Sequence, residues 1–220
     1  MEPHELFDLL REHADPDAGA RMSAYLRSQF VFLGIASPLR KTLCRDFFRG
    51  ARKADVDWGF VTQCWAGGYR EFKYVATDYL FIVRERLTDG DLDRIAHLAT
   101  TEPWWDTVDA LDRTVGCIAL AYPAAAGTLL AWSIDDNIWL RRISIDHQLL
   151  RKETTDTALL EAIIVNNLGS SEFFINKAIG WALRDYAKTN PEWVRAFVGR
   201  HRERLAPLSI REAGKHLGIL

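Results

Sequence analysis

The segment F-F-I-N-K-A-I-G-W, residues 173–181, has three counterparts earlier in the chain. The counterparts are E-F-K-Y-V-A (71–76), W-W-D-T-V-D (104–109) and I-W-L-R-R-I-S-I (138–145), and each contains an aromatic residue that corresponds to Phe174. These aromatic residues, Phe72, Trp105, Trp139 and Phe174, stand 33, 34 and 35 residues apart. Each segment begins a run with apolar residues at helical spacing. A helical unit of this period is typical of helix pairs stacked into a solenoid.

Helical periodicity also extends outside the repeated segments. In L-R-K-T-L-C-R-D-F-F (39–48), Leu39, Leu43 and Phe47 fall on one helical stripe. Proline stands where a helix could begin at positions 38, 103, 123, 191 and 207. The sequence therefore predicts an all-α fold, a curved α-solenoid of HEAT-like antiparallel helix pairs that forms a single domain over residues 1–220.

Several functional classes find no support in the sequence. Residues 114–134 carry no charge and approach membrane-spanning length, but Pro123 in their middle favours two short buried helices. The three cysteines are widely spaced, so we expect neither a disulfide framework nor a zinc site, and a bacterial cytoplasm fits best. Phosphate-binding glycine loops and metal-binding histidine motifs are absent from the sequence, so we expect no metal and no cofactor.

The charge distribution indicates an anionic partner. From residue 175 to the end there are nine Lys and Arg against four Asp and Glu, a balance of +5, and because the whole chain carries −2 the first 174 residues sum to −7. Such asymmetry is typical of a surface that binds phosphates. The basic residues that we expect to contact phosphate oxygens are Arg40, Lys41, Arg141, Lys177, Arg184, Arg211 and Lys215.

The repeat places chemically useful residues at similar positions. Asp109 lies four residues after Trp105, and Arg142 lies three after Trp139. Residues three or four apart share a helical face, so an acid and a base are expected side by side near aromatic rings. Adjacent helical positions diverge, which predicts that Trp104 packs inward when Trp105 faces out. Gly180 is interpreted as leaving room beside Trp181 for an incoming group.

These motifs resemble those of the AlkD-type DNA alkylation repair family, which consists of HEAT-like-repeat DNA glycosylases. The resemblance rests on M-S-A-Y (22–25), W-W-D-T-V-D (104–109), W-L-R-R (139–142), K-A-I-G-W (177–181) and L-S-I-R-E-A-G-K-H-L (208–217). It implies that Tyr25, Trp105 and Trp181 contact the lesion. It also implies that Asp109 is the catalytic carboxylate and that Arg142 assists at the DNA backbone.

The resemblance further implies an activity. Members excise N3- and N7-alkylated purines from double-stranded DNA, and the resemblance implies that this protein does so without rotating the base out of the helix. We therefore expect duplex DNA with alkylated purines as the partner, a monomer, and no obligate protein partner. Two alternatives remain open, a non-catalytic helical-repeat protein that binds damaged or branched DNA, and a protein-binding solenoid scaffold. By spacing alone, Asp106 and Asp112 compete with Asp109 for the role of the reactive acid, and Asp106 has no assigned role.

Overall fold

The computed structural model describes residues 1–215, and over this range it contains fourteen α-helices, three short 3-10 helices and no strand. The all-α, solenoid-like prediction is confirmed. The described contacts group the chain into two compact units, the first formed by Met1–Leu87 and the second beginning at Thr88. The curvature, the HEAT-like designation and the single domain stay predictions.

The first unit contains six α-helices. They are α1 (Pro3–Glu12), α2 (Pro16–Tyr25), α3 (Ser37–Leu43), α4 (Arg45–Ala51), α5 (Trp58–Ala66) and α6 (Arg70–Ile82), followed by a 3-10 helix at Arg84–Arg86. Proline occupies the first turns of α1, α2 and α3, where the missing N–H costs no hydrogen bond. The core of this unit is apolar and includes Leu6, Leu10, Phe60, Phe72 and Leu80.

A buried glutamate fixes the loop between α2 and α3. The Glu71 carboxylate accepts hydrogen bonds from the backbone N–H groups of Leu33, Gly34 and Ile35 at 2.9, 2.8 and 3.1 Å. Gly34 has a φ of 89° and lies so close to Asp15 that a Cβ would come within 2.0 Å of the Asp15 carbonyl oxygen. Only glycine fits this backbone. The loop that follows Tyr25 is therefore held by side-chain hydrogen bonds.

The second unit contains the other eight α-helices. They are α7 (Leu92–Thr100), α8 (Trp105–Ala121), α9 (Ala125–Trp132), α10 (Ile138–Asp146), α11 (Thr157–Asn166), α12 (Phe173–Tyr186), α13 (Pro191–His201) and α14 (Pro207–Gly214), with 3-10 helices at Asp89–Asp91 and Lys152–Thr154. Helices α8, α10, α12 and α14 form one row in which each packs against the next, and α9 packs against α11 beside them. This alternation is what the repeat predicts.

The uncharged segment 114–134 divides as the sequence predicts. Helix α8 ends at Ala121, Pro123 lies in the turn, and α9 begins at Ala125. None of the helices within residues 1–215 combines the length and the apolar character that a membrane crossing needs. Gly116 of α8 lets the end of α10 approach closely, because a Cβ there would lie 2.3 Å from the His147 carbonyl oxygen.

Candidate active site

The centre of the second unit is an ion pair between α8 and α10. Arg142 donates from Nε to Asp109 Oδ1 at 2.7 Å and from Nη2 to Asp109 Oδ2 at 2.9 Å. Two parallel charge-assisted hydrogen bonds of this kind fix both orientation and distance. The Asp109 side chain keeps 21% of its surface exposed, whereas that of Arg142 is only 2% exposed. The carboxylate is thus the part of the pair that solvent can reach.

Helix α12 holds the other side of the guanidinium. Arg142 Nη1 donates to the Phe174 carbonyl oxygen at 2.7 Å, and the guanidinium carbon lies 5.2 Å from the centre of the Trp181 ring. Cation–π contact at this distance stabilises a charge that is removed from water. Arg142 therefore ties three helices of one row together. Two of the residues that it contacts are Asp109 and Trp181, for which the family resemblance implies catalysis and lesion contact.

Two further acids lie behind this pair. Asp112 on α8 and Asp146 at the end of α10 are buried, and one carboxylate oxygen from each, together with one of Asp109, lie within 4.8 Å of one another. Burial, together with the charges of Asp146 and Asp109, raises the pKa of Asp112 well above its ordinary value. Burial raises the pKa of Asp146 as well, and after the lowering effect of Arg142 and the raising effect of Asp109 that pKa lies at about 7. This group within residues 1–215 has the spacing of a metal site, but the Arg142 guanidinium already supplies its positive charge.

Burial also raises the pKa of Asp109, which is less deeply buried than Asp112 and Asp146. The hydrogen bonds and the positive charge of Arg142 oppose the effect by stabilising the ionised carboxylate. Asp106, the next acid on α8, raises the pKa of Asp109 slightly by repulsion. Activity that depends on an ionised Asp109 will therefore fall as the pH is lowered through this raised pKa.

The aromatic residues divide between packing and exposure. Trp104 lies just before α8, with its ring 5.8 Å from that of Trp139 and 5.2 Å from that of Phe174, so it packs against aromatic rings, but it is partly exposed like Trp105. Trp105 begins α8 one turn before Asp109 and is partly exposed, as is Trp181. Tyr25 ends α2 in the first unit and is 75% exposed. The assignment of Tyr25, Trp105 and Trp181 to the lesion stays a prediction.

Three of the expected phosphate-binding residues converge on one acid of α14. Lys177 Nζ and Arg184 Nη1 each lie 2.7 Å from the Glu212 carboxylate, and Lys215 Nζ lies 2.9 Å from it. Burial favours the neutral acid, but the hydrogen bonds of Lys177 and Lys215 outweigh it and lower the pKa of Glu212 to about 2. The cluster of Lys177, Arg184, Glu212 and Lys215, called here the Glu212 cluster, keeps a net charge of +2.

Gly180 has a different role from the predicted one. A Cβ at this position would lie 2.5 Å from the Glu212 Cβ and 3.3 Å from the Ser209 Cα. The interpretation that Gly180 leaves room beside Trp181 for an incoming group is therefore wrong, because α14 fills that space. Glycine lets α12 and α14 approach closely, and this approach brings Glu212 within reach of Lys177 and Arg184.

Comparison with known proteins identifies the family. Residues 7–217 match the model of a family described as "DNA alkylation repair enzyme". The chain belongs to this DNA alkylation repair enzyme family. A solved structure, "Predicted DNA alkylation repair enzyme from Enterococcus faecalis", is 32% identical with a TM-score of 0.85, over 94% of this chain and 98% of that one. A comparison with curated proteins gives no match.

As a DNA alkylation repair enzyme, the protein acts on DNA, and the remaining basic residues can be judged against that partner. Lys41 and Arg211 are exposed. Arg141 is partly exposed and donates from Nε to Asn167 Oδ1 at 2.8 Å. Arg40 departs from the expectation, because its side chain is only 9% exposed and lies 3.3 Å from Asp78 Oδ2. Its guanidinium also lies over the Tyr74 ring, so we do not carry Arg40 into the proposed DNA contacts.

This family member also has a basic groove, of which the sequence predicts only Lys41 as a phosphate contact. The groove lies in the first unit and consists of two adjoining parts that share Arg52 and Ile82. One part is also lined by Lys41, Arg45, Phe48 and Arg49, and the other by Phe81, Arg84, Glu85 and Arg86. Residues 38–53 contain six Lys and Arg against one Asp, a balance of +5. The negative sum of the first 174 residues hides this local excess, which a shorter window would have shown.

Proposed function

We propose that this protein is a monofunctional DNA glycosylase that hydrolyses the N-glycosidic bond of cationic N3- and N7-alkylpurines, of the 3-methyladenine and 7-methylguanine type, in double-stranded DNA. Alkylation gives the purine a positive charge, so the base leaves as a neutral molecule with the electron pair of the C1′–N bond. Water supplies the new C1′–O bond and loses one proton. The enzyme then needs to stabilise the positive charge that develops on the sugar.

The observation that carries the proposal is the fixed, partly exposed carboxylate of Asp109. Arg142 holds both of its oxygens at hydrogen-bond distance, and the guanidinium carbon lies 5.2 Å from the centre of the Trp181 ring. A carboxylate that is held beside the reaction site before the bond breaks is well placed to stabilise the sugar as it becomes cationic. In this proposal Asp109 stabilises that cation and orients the water, while Trp105, Trp181 and Tyr25 contact the damaged nucleotide through their rings.

The proposed DNA contacts are electrostatic. Lys41, Arg141 and Arg211 can each donate to phosphate oxygens, and the Glu212 cluster presents a net positive charge. The basic groove adds arginines in the first unit. Contacts of this kind fix the position of the duplex without reading its sequence. We further propose that the protein acts as a monomer on chromosomal DNA and leaves the lesion stacked, since Asp109 needs to reach only the sugar.

The test measures release of free base from a duplex that carries 7-methylguanine, under single-turnover conditions. We expect the wild-type protein to release the base and Asp109→Asn to be slower by roughly 100-fold or more. Affinity of Asp109→Asn for undamaged duplex should not fall, and should rise by no more than about threefold, because the change removes a negative charge that repels the DNA backbone. Asp106→Asn, which removes an acid three positions away on the same helix, is the matched control.

The outcomes separate the two classes of function. Release of base by Asp109→Asn at the wild-type rate would falsify the catalytic assignment. If the wild-type protein binds duplex DNA in a salt-dependent way and releases no base from either 7-methylguanine or 3-methyladenine substrates, the protein is a DNA-binding helical-repeat protein without glycosylase activity.

A further inference from the structure

Asp146 is a buried carboxylate without a hydrogen-bond partner among the described residues. Its side chain is 0% exposed, and neither of its oxygens has a donor within hydrogen-bond distance. The nearest positive charge is Arg142 Nη2 on the same helix, 3.7 Å from Asp146 Oδ2. A buried charge without a partner is costly, so an arrangement of this kind needs an explanation. A shift of about 0.8 Å would turn this separation into a charge-assisted hydrogen bond.

The proposed reaction places conflicting demands on the neighbouring pair. In this structure both Asp109 oxygens accept hydrogen bonds from Arg142, so its negative charge is largely compensated. A carboxylate that is to stabilise a sugar cation has to turn part of that charge toward the substrate. When it does, Arg142 Nη2 loses its acceptor inside the protein, where an unsatisfied charged donor is expensive. Nη1 stays bonded to the Phe174 carbonyl, so the guanidinium can pivot about that bond.

We propose that Asp146 is a positioning residue that serves as the second acceptor for Arg142, to which the guanidinium turns when damaged DNA engages Asp109. The inference rests on the proposed glycosylase function and adds a residue to it. Asp146 touches neither the base nor the sugar in this scheme. It acts by taking over the hydrogen bond that Asp109 gives up, so that freeing the catalytic carboxylate does not leave a buried donor unsatisfied.

The electrostatics of the cluster support this exchange. The charges that act on Asp146 are Arg142 on its own helix, which lowers its pKa, and Asp109 on α8, which raises it. Asp112, which Arg113 adjoins on α8, has its own pKa raised by Asp146. Side chains of α7, α9, α11 and α12, which also pack against α10, are not among the main influences on the pKa of Asp146. That pKa lies at about 7, so Asp146 changes charge near neutral pH. Since only the ionised form attracts Arg142 strongly, excision should fall as the pH drops through this value.

The experiment compares Asp146→Asn with wild type in single-turnover excision of 7-methylguanine from pH 5 to 9. We expect the rate at high pH to fall roughly 10- to 100-fold, because a misplaced catalytic group costs this much. The fall of the excision rate as the pH drops through about 7 should also disappear, because Asn does not titrate. Affinity for undamaged duplex should stay within about twofold of wild type, because Asp146 contacts no phosphate. Asp112→Asn is the matched control: it removes a buried acid from the same cluster and should leave the fall of the rate near pH 7 in place, because Arg142 and Asp109 are the charges that set the pKa of Asp146.

Each outcome has a distinct meaning. Asp146→Asn with the wild-type rate and pH profile overturns this inference and leaves the glycosylase proposal intact. If the fall of the rate near pH 7 disappears in Asp112→Asn and remains in Asp146→Asn, the titrating acid is Asp112, and the inference about Asp146 is overturned as well. A wild-type protein that releases no base overturns the proposed function, and this inference with it. Thermal unfolding of both variants shows whether they are folded, which the isosteric loss of a buried charge should permit.

Discussion

Asp109 and Arg142, which form the two-bond ion pair of the site, stand 33 residues apart, one repeat period, in the sequence. The same separation recurs where the Ser209 hydroxyl donates to the Asn176 carbonyl oxygen, also 33 residues away. Stacked repeats bring equivalent positions into contact, so residues one period apart become neighbours. The pair at the site is therefore a particular use of a contact that the architecture makes repeatedly.

Removing the guanidinium should destabilise the second unit. We expect Arg142→Ala to lower the free energy of unfolding by about 3–5 kcal/mol, because buried carboxylates lose their compensating charge. Arg184→Ala is the control, since Arg184 is 29% exposed and shares Glu212 with two lysines, and it should cost less than about 1 kcal/mol. Urea unfolding at pH 8 measures both, and equal losses would show that Arg142 is no more than a surface charge.

Substitution of Gly180 tests the close approach of α12 and α14. Gly180→Ala should lower the free energy of unfolding by about 1–3 kcal/mol, because the new Cβ meets Glu212 Cβ at 2.5 Å. Gly199→Ala on α13 meets no atom within 4 Å and should stabilise the protein by up to about 1 kcal/mol, as alanine favours helix over glycine. Thermal unfolding distinguishes the two, and a stabilising Gly180→Ala would contradict the packing argument.

The basic groove should contribute to DNA affinity. Replacing Arg45 and Arg52 by glutamine should weaken duplex binding and reduce the slope of log affinity against log salt by up to about 1.8, since each phosphate contact contributes about 0.9. Arg94→Gln on α7, 59% exposed and outside the groove, is the control. Binding titrations at several salt concentrations supply the slopes. An unchanged slope in the double variant would mean that the groove does not contact DNA.

The buried imidazole of His147 predicts sensitivity to acid. Its Nδ1–H donates to the Ser144 carbonyl oxygen at 2.6 Å, and burial lowers its pKa from 6.5 to about 3. Below pH 6.5 the imidazole takes up a proton in the unfolded chain but stays neutral in the folded chain. The free energy of unfolding therefore decreases as the pH is lowered from about 6.5 to about 3. His147→Asn should make this fall less steep, by up to about 1.4 kcal/mol per pH unit. Unfolding free energies from pH 4 to 7 would settle it, and parallel slopes would argue against a neutral buried imidazole.

Much of the architecture follows from periodicity alone. The 33- to 35-residue spacing of aromatic residues predicts the starts of α6, α8, α10 and α12 to within two residues. It also predicts that Asp109 and Arg142 meet, because both lie one turn into successive helices of the row. Periodicity succeeds here because helix faces and repeat lengths are properties of the local sequence.

Contacts across helices were harder to predict. Asp112 and Asp146 follow Asp109 and Arg142 by three and four residues, so their shared faces were visible, but their burial depends on how α8 and α10 pack. Glu212 was missed because its cations come from α12 as well as α14. Gly180 was misinterpreted for the same reason, since its neighbours lie more than 25 residues away in the chain.

The link that Arg142 makes between Asp109 and the Phe174 carbonyl has a consequence for protein engineering. The three residues come from α8, α10 and α12, one from each helix. Their contacts form because the repeat spacing places the three helices side by side in the row. A loop graft or a short peptide could not carry this arrangement to another scaffold. The smallest transferable unit is three consecutive helices of the row with their spacing kept, which makes the repeat itself the unit of exchange.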